Sequence, residues 1–283
     1  MIEGKQLRLI VAAALVLLVV AVGIALTFWV TPLATIQQWK GGGFSRTYNE
    51  SASIGEIYVS DPYGSISIGA WNGTYVKVIC QGYAFPGSFA AFPEVGEKSG
   101  ALDVVVPAQQ FTLTYVMNVE VELPNDAESP VGITASSTDG NVYVMWSNAP
   151  EIYATTVDGN VYVNTTYTQQ LVARTTNGDV HLYLDGSESA AVDSVNGGIF
   201  AAVRDPGAGA YSFRTTNGDV TVMLPENASA RISVYSSNGA YGVSGLQYTQ
   251  SLQSSSGIYV VVGTGAASIT AATVNGNAFV ERG

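Results

Sequence analysis

Cysteine occurs once in this sequence, as Cys80, and histidine once, as His181. A single thiol closes no intrachain disulfide, and one thiol with one imidazole cannot build a zinc site of the usual kind. Charge is scarce as well: Asp, Glu, Lys and Arg make up 12% of the chain, against roughly a quarter in ordinary globular proteins. What charge there is lies on one side, with 22 acidic and 11 basic residues and a formal net charge of −11. Such a surface repels nucleic acid and anionic lipid, so neither is expected as a partner. No cofactor is expected, and no metal site.

Uncharged residues, by contrast, run without a break from Leu9 to Val30. That length crosses a ~30 Å hydrocarbon core as a helix. Trp29 stands at the membrane interface and Pro32 stops the helix. A cleaved signal peptide would have a shorter apolar region and a small-x-small site, and Leu33-Ala34-Thr35 is a poor one. An uncleaved single-pass anchor over 9–31 is therefore expected, after a cytoplasmic tail of 1–8. Lys5 and Arg8 before the span nearly tie with Lys40 and Arg46 after it, so flanking charge does not orient it. The rest is acidic, rich in Ser, Thr and Tyr, and carries N-glycosylation sequons at Asn49, Asn72, Asn164 and Asn227. These features place the large part outside the plasma membrane.

A linker containing Gly41-Gly42-Gly43 is expected over 32–53, an irregular β part with a cap over 54–131, and a regular array over 132–283. In that array one unit recurs eight times: STDGNVYV, TVDGNVYV, TTNGDVHL, SVNGGIFA, TTNGDVTV, SSNGAYGV, SSSGIYVV and TVNGNAFV. Its glycines, Gly140, Gly159, Gly178, Gly197, Gly218, Gly239, Gly257 and Gly276, follow one another at 18 to 21 residues. A fixed period of this length signals a repeat architecture.

Each column of the unit has a physical task. Asp or Asn precedes the glycine in seven copies, Ser256 being the exception, which suits a tight turn with positive φ. Two and four residues after the glycine lie apolar residues such as Val161 and Val163, the alternation of a half-buried strand. Seven and five residues before it a second strand alternates likewise, as at Leu171 and Ala173. Three before it every copy has a hydroxyl: Ser137, Thr156, Thr175, Ser194, Thr215, Ser236, Ser254 and Thr273. These point inward, where each can bond its neighbour or a turn amide.

Two strands and two corners in about 19 residues describe one rung of a β-solenoid. The fold class is therefore all-β, a right-handed-type β-solenoid (β-helix) preceded by one transmembrane helix. The rival reading makes each Asn-Gly a hairpin turn and the array an antiparallel meander or sandwich. Identical columns in every unit favour the solenoid. Ile57 and Val59 before Gly64, with Ile66 and Ile68 after it, form a first rung, and the aromatic stretch Tyr83 to Phe92 is suited to cap the open end.

The strands ending in Glu-Leu-Pro at Val119–Pro124 and the motifs at Asn177–Val180 and Asn217–Pro225 together resemble the DUF4097 family. Its members are described as candidate adhesins with a β-helix-like fold. The resemblance spans nearly all of the outer region and implies a β-solenoid with a surface or adhesion role. It brings no catalytic residues.

Three residues after the glycine, on the outward face, stand Tyr143, Tyr162, His181 and Phe200, then Thr221, Gly242, Tyr259 and Phe279. At ~4.8 Å per rung the first four form a continuous stripe. One reading is a platform on which sugar rings or a partner stack; the other is a cross-strand ladder that only stabilises the face. Asp139, Asp158, Asp179 and Asp219 fit turn chemistry, not the nonapeptide calcium repeat. His181 occupies the aromatic column and has no fixed partner for acid–base work. The corner residue Ser187 is expected to be exposed.

The function these features point to is non-catalytic: adhesion, interaction or structural support, with the membrane, envelope glycans or neighbouring copies as partners. The alternatives are a β-helix enzyme acting on polysaccharide and a carbohydrate-binding envelope module. An enzyme of that kind would show paired carboxylates ~5–10 Å apart beneath a large pocket.

Overall fold

The structure, a computed structural model, describes residues 42–85, 93–108, 114–125 and 130–283. The expected anchor and most of the aromatic cap stretch lie outside these residues. Among the described residues no helix is long and apolar enough to cross a membrane.

Every described element is a strand, and the strands form two sheets of 11 and 12. Each repeat except the copy at Gly257 gives one strand to each sheet, with its glycine at the corner between them. From Gly140 to Gly218 successive repeats pair in parallel and in register. Val161 lies opposite Val180 and Val142 in one sheet, and Ile152 opposite Leu171 and Ile133 in the other. Parallel pairing of whole repeats is the solenoid arrangement, and it overturns the sandwich alternative.

The core lies between the sheets and follows the predicted alternation. Val142, Val144, Val161, Val163, Val180 and Leu182 face it from one side, and Ile133, Ile152, Leu171 and Ala173 from the other. Each Val, Leu or Ile so buried contributes ~1.5–3 kcal/mol. Size is balanced between neighbouring coils: Ala190 and Ala201 of one coil leave room beside Tyr211 and Phe213 of the next, all four buried.

The hydroxyl column points inward as expected. Thr156 donates to the Gly140 carbonyl at 2.8 Å, Thr175 to Gly159 at 2.8 Å, Ser194 to Gly178 at 3.1 Å and Thr215 to Gly197 at 2.8 Å. Every bond thus runs to the glycine of the adjacent coil. The same glycines are needed for a reason other than the turn geometry expected. Gly140, Gly159, Gly197 and Gly239 have no positive φ, and Gly178, Gly218 and Gly276 sit at 152–159°, on the border of extended backbone. Instead, a Cβ at Gly159 would stand 2.1 Å from the Gly140 carbonyl oxygen, and one at Gly178 2.0 Å from that of Gly159. Close approach of coil to coil excludes any side chain there.

The residue before the glycine builds a second ladder. Asn177 donates to Asp158 at 2.5 Å, Asn196 to Asn177, Asn217 to Asn196 and Asn275 to Asn217 at 2.8 Å, and Asn238 to Asn275 at 2.9 Å. Asp179 and Asp219 accept the backbone amides of Gly198 and Asn277. Side-chain ladders of this kind are familiar from stacked parallel strands.

Three expectations need correction. The SSSGIYVV copy is not a coil: Gly257–Val262 runs antiparallel to Ala230–Asn238 and to Tyr248–Gln253. Its Ser254 donates to the Gly257 carbonyl within its own turn. The last coil, Ala267–Asn275 with Ala278–Arg282, is also not last in space. It lies between the Gly218 and Gly239 coils, pairing with both. Finally, Gly42–Glu50, expected within the linker, is a strand paired antiparallel with Val76–Phe85.

The N-terminal end is interleaved in the same manner. The Gly64 coil sits between the Gly140 coil and the strands Ala101–Val105 and Thr114–Pro124. The parts expected as 54–131 and 132–283 are therefore one continuous stack. Antiparallel strands edge both sheets at this end and the larger sheet at the other, where the smaller sheet finishes on Tyr241–Ser244, paired in parallel.

Candidate interaction surface

In-register pairing puts Tyr143, Tyr162, His181 and Phe200 side by side on the outer face of the smaller sheet. Tyr143 and Tyr162 stack with centroids 4.9 Å apart and planes 6° from parallel, and Tyr162 and His181 stack at 4.9 Å and 5°. Phe200 is tilted by 41° at 6.3 Å from His181, and Tyr183 packs against it at 5.9 Å. The stripe is thus real as a row, but its flat faces are spent on one another. Ring edges and hydroxyls meet solvent, so sugar rings cannot lie flat along it. Asn141 and Asn160 donate to the hydroxyls of Tyr143 and Tyr162 at 3.0 and 3.5 Å and hold the rings upright. Beside the row Met145 is 55% and Tyr183 46% exposed.

Beyond Phe200 the order differs from the sequence. Thr221 is followed in space by Phe279 and then Gly242, and Tyr259 lies on the other sheet opposite Ser233. The sequon residues Asn49, Asn72, Asn164 and Asn227 are all exposed.

Two features escaped the sequence reading. Asp61 takes the place of the hydroxyl in the first coil, opposite Ser137. It is fully buried, its Oδ2 has no hydrogen-bond partner, and its Oδ1 accepts the Tyr63 amide at 3.1 Å. Burial pushes its carboxyl up to about 7, against the pull of the Tyr63 amide. The position three before Gly64 was the available signal. The nearby Cys80 is buried, and burial pushes its thiol up to about 12, so it is no nucleophile.

The second feature is a groove of about 520 Å³ at a corner, lined by Tyr167, Ser187, Glu188 and the loop from Asp205 to Gly209. Ser187, expected to be exposed, is buried. The 21-residue interval between Gly197 and Gly218 was the visible sign of extra loop here. Among the described residues no group of three or more His, Cys, Asp or Glu gathers as a metal site would require.

No curated protein matches the chain. Among solved structures, a candidate cell adhesion protein from Clostridium sporogenes is 12% identical, with a TM-score of 0.38 over 86% of this chain and 100% of that one. A candidate adhesin from Bacteroides fragilis is 14% identical, with a TM-score of 0.44 over 85% of this chain and 97% of its own. The sequence model of the Toastrack DUF4097 family matches residues 95–281, and the chain belongs to that family.

Proposed function

We propose that this protein is a membrane-anchored, extracytoplasmic β-solenoid that works by surface contact and catalyses nothing. The uncharged run over 9–31 is its anchor, and the exposed Asn49, Asn72 and Asn227 are the glycan acceptors it offers, Asn164 lying within the contact strip itself. The observation that carries the contact role is the ladder from Tyr143 to Phe200 with Met145 and Tyr183 beside it. The four rings form a continuous, rigid row of aromatic edges, with the exposed Met145 and Tyr183 beside it on either side of Asn164. Such strips mark interaction sites. Because the rings hold one another, little side-chain freedom is lost when a partner docks. A protein partner, including a neighbouring copy, fits aromatic edges better than a flat sugar does.

The test is retention of the protein at the cell envelope and its self-association, compared between Tyr143→Ser with Tyr162→Ser and the control pair Tyr235→Ser with Tyr248→Ser. The control tyrosines are 45% and 46% exposed. Loss in the ladder variant alone, with circular dichroism unchanged, supports the proposal. Equal loss in both, or none, refutes it.

A further inference from the structure

We infer that the corner groove between Tyr167 and the Asp205–Gly209 loop binds a neutral oligosaccharide. The inference extends the extracytoplasmic reading above, but it uses a different surface from the ladder.

The groove is built, not incidental. The longer interval between Gly197 and Gly218 allows Asp205 to Gly209 to project as a loop. A turn fixes it: Gly209 donates to the Pro206 carbonyl at 2.9 Å, Gly207 donates to Asp205 Oδ1 at 3.2 Å, and Gly207 has a φ of 50°. Gly209 has to be glycine, since a Cβ would lie 2.6 Å from the Tyr211 ring. From below, the buried Tyr211 hydroxyl donates to the Ser187 carbonyl and, at 3.2 Å, to that of Pro206. One side chain so ties both walls. A volume of about 520 Å³ is in the range of small-ligand sites.

Its chemistry suits a polyhydroxylated ring. The exposed Tyr167 supplies an aromatic wall outside the ladder, and its hydroxyl is held by Glu188 at 3.2 Å. Glu188 and Asp205 present carboxylate oxygens that accept sugar hydroxyls. Ser187 is 3% exposed, lines the groove, and has no hydrogen-bond partner for its Oγ. One coil earlier the equivalent hydroxyl, Thr168, reaches the Pro150 and Gln170 carbonyls at 3.3 and 3.1 Å. For Ser187 the corresponding Gln169 carbonyl is taken by Ser189 at 2.8 Å. The Ser187 hydroxyl so lies unpaired in the floor of the groove, just beneath its accessible surface. Two carboxylates and a net charge of −11 exclude acidic sugars.

Saturation-transfer NMR on the full-length chain in detergent would use cellotetraose, mannotetraose and chitotetraose, with tetragalacturonate and spermidine as comparators. At least one neutral tetrasaccharide should bind at millimolar concentration or below. Tyr167→Ala should weaken it about tenfold, the equivalent of ~1.4 kcal/mol, and Glu188→Gln severalfold, with melting temperature unchanged. Tyr143→Ser with Tyr162→Ser should leave it intact even if that variant loses envelope retention. No transfer to any neutral sugar, transfer insensitive to Tyr167→Ala and Glu188→Gln, or binding of spermidine in place of sugar would overturn the assignment.

Discussion

The Thr175 hydroxyl donates to the carbonyl of Gly159, one coil away, at 2.8 Å. The glycine has no room for a Cβ beneath the Gly140 carbonyl, and the threonine satisfies the oxygen that close stacking buries. Gly159→Ala should therefore cost ~2 kcal/mol or more by forcing the coils apart. Gly96→Ala, where a Cβ meets nothing within 4 Å, should be close to neutral. Thr175→Val should cost ~1–3 kcal/mol, and Thr175→Ser much less. Urea unfolding of the four variants checks the order; equal midpoints would mean that the coil contact carries no stability.

Asp61 gives a pH dependence of unusual sign. Its carboxyl titrates at about 7 when folded, against an ordinary 3.8. The folded state then holds a proton that the unfolded chain has released between these values. Stability from this group is full below about 4, falls as pH rises towards 7, and stays low above. Asp61→Asn should flatten this fall and raise the melting temperature at pH 8 more than at pH 4. A parent protein equally stable at both pH values, with an Asn variant no different, would show that the carboxyl is solvated.

Much of this fold was legible in the sequence because stacking in register repeats each physical demand at one period. The alternating core residues, the hydroxyls and the ring row were all readable as columns. Spatial order was not. Each coil offers the same backbone and column surface above and below, so nothing in the period tells that Ala267–Asn275 inserts between Ala210–Asn217 and Ala230–Asn238. The copy at Gly257 imitates the pattern because an antiparallel strand alternates with the same period of two. The ring row was placed correctly, but ring planes depend on side-chain torsions that no column reveals. The groove depends on how a loop folds back onto Tyr211, which an interval length cannot show.

The proposed anchor and orientation lead to a simple cellular experiment. Protease added to intact cells should digest the region after residue 41 while residues 1–8 stay protected. Digestion of the outer region only after lysis would place it inside the cell.

The contact role of the ladder is tested most directly by photo-cross-linking in intact cells from a benzoyl-phenylalanine at position 145, beside the ring row, and separately at position 193 on the outer face of the other sheet. Met145 and Asp193 lie on opposite sheets, and Met145 is 55% exposed. Defined cross-linked species should form from position 145 and not from position 193, and they should vanish when Tyr143→Ser and Tyr162→Ser are added. Equal cross-linking from both positions, or none from position 145, would contradict the ladder as the working surface.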